Sequence, residues 1–144
     1  MRYNRTLSQF DWMHWVEQLP IGTTIMVVED DAVVRECLRE LLADNCRVSG
    51  AAGAAEALEC MTADGVPDVL VADMQLGSGM GGLELTTVAR LRWPGIRAVL
   101  ITGTTVADPV LDPGDRFLRK PFSVEALTHA VWELATRQDR LHTP

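Results

Sequence analysis

The sequence predicts a doubly wound α/β sheet, and three observations carry the prediction. Short β-branched or apolar runs alternate with helical patterns along most of the chain. Three of those runs are apolar nearly throughout, as strands covered on both faces of a parallel sheet are. The 144 residues, 47% hydrophobic and 23% charged, suit one globular domain. Right-handed crossovers between parallel strands then put helices on both faces.

Residues 1–22 stand outside the alternation. Ser8, Gln9, Phe10 and Asp11 read as a capping box. Trp12, Trp15, Val16 and Leu19 follow at i, i+3, i+4, i+7, and Pro20, Ile21 and Gly22 end the pattern. This is an amphipathic helix with an aromatic face. Either it packs on its own domain or is incidental to the start of the gene, or its tryptophans form a docking face for a partner or a second copy.

The first strand is predicted over Thr24–Val28. A helix follows, with Val34, Cys37, Leu38 and Leu41 on one stripe. Cys37 on that stripe is expected to be a small buried hydrophobe. The second strand is predicted at Arg47–Ser49, and Ala54, Ala57, Leu58 and Met61 mark the next helix. The third strand is Val69–Ala72. The helix after it runs from about Leu83 to Arg92 and stops before Pro94, which disfavours helix at its predecessor. The fourth strand is Ala98–Ile101. Between it and the fifth, Arg116–Leu118, the segment Thr105–Asp115 holds Pro109, Pro113 and Gly114 and has no sustained 3.6 period. A helical turn at most is expected there. The last helix, with Val124, Leu127, Val131 and Leu134, starts at Ser123, a good N-cap.

Composition narrows the function classes. A net charge of −7 argues against a nucleic-acid footprint, which would be a basic stripe. No run approaches the ~18 apolar residues of a membrane span, and the polar N-terminus lacks a signal sequence. Cys37, Cys46 and Cys60 form no CxxC pair, which disfavours zinc and fits a reducing compartment. A cytoplasmic protein is expected.

Ligands of doubly wound sheets bind at the carboxyl ends of strands. Glu29, Asp30 and Asp31 follow the first strand, Asp73 the third, Thr102 and Gly103 the fourth, Lys120 and Pro121 the fifth. Each alone reads as surface, cap or turn; the fold brings all four ends to one rim. Clustered carboxylates repel one another and raise each other's pKa unless they bind a hard cation. Mg²⁺ suits them, since it takes oxygen ligands and uses one or two carboxylates plus phosphate oxygens. Phosphoryl transfer needs in-line positioning and neutralised charge. Lysine supplies a compact positive charge, a threonine hydroxyl can donate to a phosphoryl oxygen, and aspartate is a recognised nucleophile. Of 13 basic residues twelve are arginine, and the one lysine is Lys120. That exception marks a position that requires an ammonium.

Ile-Met-Val-Val-Glu29-Asp30-Asp31, Val-Leu-Val-Ala-Asp73, Val-Leu-Ile-Thr102-Gly103 and Phe117-Leu-Arg-Lys120-Pro121-Phe122 together resemble the receiver domain of two-component response regulators. The resemblance covers about Thr23–Arg137. It divides the chain into an N-terminal extension (1–22), a receiver domain (23–137) and a C-terminal tail (138–144).

The resemblance implies a flavodoxin-like fold of five strands in the order 2-1-3-4-5. It implies that Asp73 accepts a phosphoryl group from a phosphohistidine of a sensor histidine kinase or histidine phosphotransfer protein. Glu29, Asp30, Asp73 and the carbonyl of Gln75 would hold Mg²⁺, with Asp30 a more direct ligand than Glu29. Lys120 would pair with the phosphoryl group, and the Lys120–Pro121 bond would be cis. Thr102 would swing toward the phosphoryl oxygen with Phe117 changing rotamer beside it, and Gly103 would leave room.

Three features depart from the family pattern. Glycine stands at position 77 where proline is common, in a loop one residue longer than usual and expected to be mobile. Phe117 lacks a tyrosine hydroxyl. The helix between the fourth and fifth strands is short and proline-rich.

Only seven residues follow Arg137, so the expectation is a stand-alone regulator acting by protein contact, as a monomer or weak homodimer, a shuttle in a phosphorelay, or a receiver cut from a larger hybrid kinase. The alternative is a Mg²⁺-dependent phosphatase with an aspartyl-phosphate intermediate, but such enzymes usually place an acid where Gln75 stands. A flavin or nucleotide module would need a glycine- and hydroxyl-rich loop after the first strand. His14, His129 and His142 sit in no four-helix bundle pattern that would suit histidine phosphotransfer.

Overall fold

The computed structural model describes residues 13–103 and 112–137. Within them five strands form one parallel sheet in the order β2-β1-β3-β4-β5. The strands are β1 (Thr23–Val28), β2 (Cys46–Ala51), β3 (Val69–Asp73), β4 (Arg97–Thr102) and β5 (Arg116–Arg119). The helices are α1 (Met13–Glu17), α2 (Ala32–Leu42), α3 (Ala54–Asp64), α4 (Gly82–Arg92) and α5 (Val124–Ala135). This is the flavodoxin-like order that the resemblance implied.

Period-two alternation sorts the strand side chains into two cores. Ile25, Val27, Val69, Val71, Val99 and Ile101 face α1, α2 and α5. Met26, Val28, Leu70, Ala72, Ala98 and Leu100 face α3 and α4. The three inner strands are buried nearly throughout, which is why they read as continuous apolar runs. The edge strands β2 and β5 are only partly covered and gave weaker signals. Each buried Val, Leu or Ile stabilises the fold by roughly 1.5–3 kcal/mol.

Local chemistry starts the helices where the rim needs them. Asp31 caps α2, its Oδ1 accepting from the N–H groups of Val33 and Val34. Ser123 caps α5 through the Ala126 N–H. Between them, α2 turns a different face inward than its apolar stripe suggests. Leu38 and Leu42 are buried, whereas Val33, Val34 and Cys37 are exposed. The reading of Cys37 as a buried hydrophobe is thus corrected. The inner face of α2 is completed by the stems of Arg35 and Arg39, which lie over Gly50 of β2, where no Cβ intervenes.

The N-terminal helix packs on α5. Val16 of α1 and Leu19, which lies two residues past the helix end and not on the helix as its spacing predicts, are both buried in the first core. The Trp15 ring lies 4.4 Å from His129 and 4.8 Å from Trp132, centroid to centroid. The capping box at Ser8–Asp11 and Trp12 lie outside the described residues, as does most of the short, proline-rich segment between β4 and β5.

Candidate functional site

The sheet's carboxyl edge gathers the predicted site residues, with the strands reaching slightly further than their apolar runs. Asp73 is the last residue of β3 and Thr102 the last of β4. Glu29 follows β1 directly, and Lys120 follows β5. Glu29, Asp30, Asp31, Asp73, Gln75, Gly77, Gly103 and Lys120 line one open pocket of about 520 Å³.

Asp73 is 8% exposed, and both its carboxylate oxygens are engaged. Oδ1 accepts from the Gln75 N–H at 2.8 Å, and Oδ2 accepts from Lys120 Nζ at 2.7 Å. That bond, with the charges of Asp73, Glu29 and Asp30, raises the Lys120 pKa above its usual value despite partial burial. The ammonium is therefore charged at neutral pH. The Lys120–Pro121 peptide is cis, and Lys120 N–H donates to the Thr102 carbonyl at 2.8 Å.

Glu29 is pushed up to about 7 from 4.5 by burial first, then by the Asp73 charge. Its Oε2 accepts from the Asp30 N–H at 3.0 Å, and its carbonyl accepts from Arg35 Nη1 at 2.8 Å. The carboxyl of Asp30 remains exposed at the pocket mouth. Asp31, the third acid of the run, spends its Oδ1 on the α2 cap. Thr102 is 1% exposed and its hydroxyl has no hydrogen-bond partner. An unsatisfied buried hydroxyl costs roughly 1–3 kcal/mol, which an incoming oxygen would relieve.

The donor set fits Mg²⁺. Four acidic residues, Glu29, Asp30, Asp31 and Asp73, line one pocket with Gln75, and the part of the Glu29 shift that comes from the Asp73 charge, second to burial, is what a bound cation would offset. Among the described residues no three acidic, His or Cys side chains close a cage around one point. An open arrangement suits an ion that keeps several waters and shares phosphate oxygens.

Two features escaped the sequence reading, one beside the site and one at the opposite, amino edge of the sheet. The Gly81-Gly82 pair lets α4 start against the Asp73–Met74 backbone: a Cβ at Gly82 would stand 2.5 Å from the Asp73 carbonyl oxygen, and one at Gly81 would collide with that of Met74. The second is Arg90, which bonds the Ile96 carbonyl, Asp112 and the buried Asp115. A pair of adjacent glycines was a visible signal; the Arg90 contacts span too much sequence to be read.

Comparison with known proteins gives the family and the fold. The family model of the response regulator receiver domain matches residues 25–132. The chain belongs to the response-regulator receiver family. It is 38% identical over 122 residues to the response regulator MprA of Mycobacterium ulcerans, a match covering 81% of this chain and 52% of that protein. It is 31% identical over 123 residues to the sensor kinase CckA of Brucella abortus, covering 82% of this chain and 13% of that one. The chain thus spans about half the length of the response-regulator relatives it matches. Among solved structures, a receiver protein from Sinorhizobium medicae superposes with a TM-score of 0.72 at 25% identity, covering 81% of this chain and 97% of the other. A receiver domain from Clostridium thermocellum reaches 0.73 at 22% identity, covering 83% and 98%. Receiver domains are signalling modules that take phosphoryl groups from histidine kinases.

Proposed function

We propose that Asp73 is the phosphoryl acceptor of this chain in a Mg²⁺-dependent phosphorelay. The donor is a phosphohistidine on a sensor histidine kinase or a histidine phosphotransfer protein. A carboxylate oxygen of Asp73 forms the new P–O bond while the N–P bond breaks and the imidazole leaves with its electron pair. The observation that carries this reading is the Asp73–Lys120 contact of 2.7 Å inside the acidic pocket. Lys120 neutralises charge on the phosphoryl oxygens, and the buried Thr102 hydroxyl donates to one of them.

Glu29, Asp30, Asp73 and the Gln75 carbonyl would hold Mg²⁺, which when bound would supply positive charge beside the phosphoryl group. Thr102 and Phe117 form the switch that registers phosphorylation. Chemistry beyond self-catalysed phosphorylation and dephosphorylation of Asp73 is not part of the role. Output runs through protein contact, from a monomer or weak homodimer. Free thiols at Cys37, Cys46 and Cys60 suit a reducing, cytoplasmic setting.

The test is incubation with Mg²⁺ and acetyl phosphate or beryllofluoride. A 1:1 adduct is expected, absent in Asp73→Asn. An adduct of equal stoichiometry in that variant would sink the assignment.

A further inference from the structure

Arg119 touches Phe117 and the residue that follows Thr102 at once. Its Nη1 donates to the Gly103 carbonyl at 3.0 Å, one residue beyond Thr102. Its guanidinium lies over the Phe117 ring, 5.4 Å from the centroid. Parallel register pairs Thr102 with Arg119 and Leu100 with Phe117, so Arg119 and Phe117 share one face of β5. Neighbouring carbonyls at the end of β4 are therefore held from neighbouring residues after and within β5: Thr102 by the Lys120 N–H and Gly103 by Arg119. The hydroxyl of Thr102 itself is buried and without a partner.

We propose that Arg119 is a positioning residue that couples Thr102 to Phe117. The inference rests on the acceptor reading of Asp73 above. When the Thr102 hydroxyl turns to a phosphoryl oxygen, the adjoining Gly103 peptide is displaced with it. A charge-assisted hydrogen bond is stronger than a cation–π contact at a half-exposed ring. The guanidinium therefore follows the Gly103 carbonyl, and the Phe117 ring loses or changes its cover. Phe117 has no hydroxyl through which to sense the β4 end by its own polar bond. The planar guanidinium supplies that bond with its edge and the ring contact with its face, a combination that a lysine ammonium does not reproduce.

The test uses the full chain with 4-fluorophenylalanine incorporated at Phe117, read by ¹⁹F NMR during titration with beryllofluoride and Mg²⁺. In the otherwise unchanged protein the label signal should shift as the adduct forms. In Arg119→Gln the adduct should still form, but the shift at saturation should fall by at least half. Arg119→Lys, which retains charge and most of the stem, should behave like Arg119→Gln and serves where the glutamine variant folds poorly. A shift of undiminished size in either variant overturns the proposal. So does an adduct in the parent protein that leaves the label unmoved. No adduct in the parent protein removes the acceptor reading of Asp73, and this proposal with it.

Discussion

Lys120 Nζ stands 2.7 Å from Asp73 Oδ2, and the two residues come from strand ends 47 positions apart in the chain. The pair is unequal in exposure: the Lys120 side chain is 45% exposed and that of Asp73 11%. Solvent screening on the lysine side limits what the pair contributes to folding to about 1 kcal/mol at most. Its contribution to ligand binding is larger, since a phosphoryl group on Asp73 concentrates negative charge beside the ammonium. A hydrogen bond to a charged group is worth roughly 1.5–3 kcal/mol, about ten- to a hundredfold in affinity. Lys120→Met should therefore weaken beryllofluoride binding by about that factor while changing thermal stability little. Isothermal titration beside thermal denaturation checks both halves. A large loss of stability with unchanged affinity would contradict the role given to Lys120.

Glu29 sets a pH dependence whose sign is fixed by its environment. Its folded pKa is raised from 4.5 to about 7, because burial and the Asp73 charge disfavour the carboxylate. Between those values the folded chain holds a proton that the unfolded chain has released. Stability from this group is complete below about 4.5 and is lost as pH rises through 7. In metal-free buffer, Glu29→Gln should flatten the decline in melting temperature between pH 5 and pH 8. Millimolar Mg²⁺ should restore stability to the parent protein at pH 8 by binding the folded state, and less so at pH 6, where a proton competes for Glu29. Parallel melting curves of both proteins that fall together across this range would refute the assignment.

The rim was legible in the sequence because most of its residues follow an apolar run. Glu29, Asp73 and Thr102 are located by the ends of strands buried on both faces, the plainest signal a sequence offers, whereas Lys120 follows the weaker edge strand β5 and stood out as the one lysine. The orientation of α2 was not legible. Its apolar residues suggested a stripe through Val34 and Cys37, but Arg35 and Arg39 cover β2 with their stems, because Gly50 leaves room there. Amphipathic arginine can replace an aliphatic residue at a core boundary, and a period count treats it as polar. The contacts of Arg90 with Asp112 and Asp115 and of Arg119 with Gly103 were hidden for a different reason. They join residues far apart in sequence through long side chains whose reach no local pattern encodes.

The loop after Asp73 contains both a demanding glycine and a permissive one. A Cβ at Gly82 would meet the Asp73 carbonyl oxygen at 2.5 Å and the Ala72 side chain at 3.0 Å, whereas one at Gly79 meets nothing within 4 Å. Backbone atoms cannot move aside as a flexible side chain can. Gly82→Ala should destabilise the domain by about 1–3 kcal/mol, the usual cost of overpacking, and should weaken beryllofluoride binding by displacing Asp73. Gly79→Ala should change stability by less than about 0.5 kcal/mol. Urea denaturation of the two variants decides the matter, and equal midpoints would show that the α4 start relaxes freely.

The N-terminal helix makes a claim of its own on the stability of the domain. Leu19 is 2% exposed and Val16 fully buried, both within the core formed by β1, α2 and α5. Asn45, after α2, donates to the Glu17 carbonyl at 2.9 Å, and the Thr23 hydroxyl bonds the Pro20 carbonyl at 2.6 Å. The helix end is thus fastened to the first strand and to the α2–β2 turn as well as to α5. Leu19→Ala should leave a cavity between these elements and cost about 2–5 kcal/mol, as deletions of buried leucine do. Because Leu19 lies in the core and not at the pocket, saturating beryllofluoride should still give a 1:1 adduct in the folded variant. Trp15 lies against His129 and Trp132 on the surface of α5 and is half-buried, so Trp15→Ala should cost less than Leu19→Ala. Denaturant midpoints for the two variants test the order. Full retention of stability in Leu19→Ala would mean that the helix does not hold this position in solution.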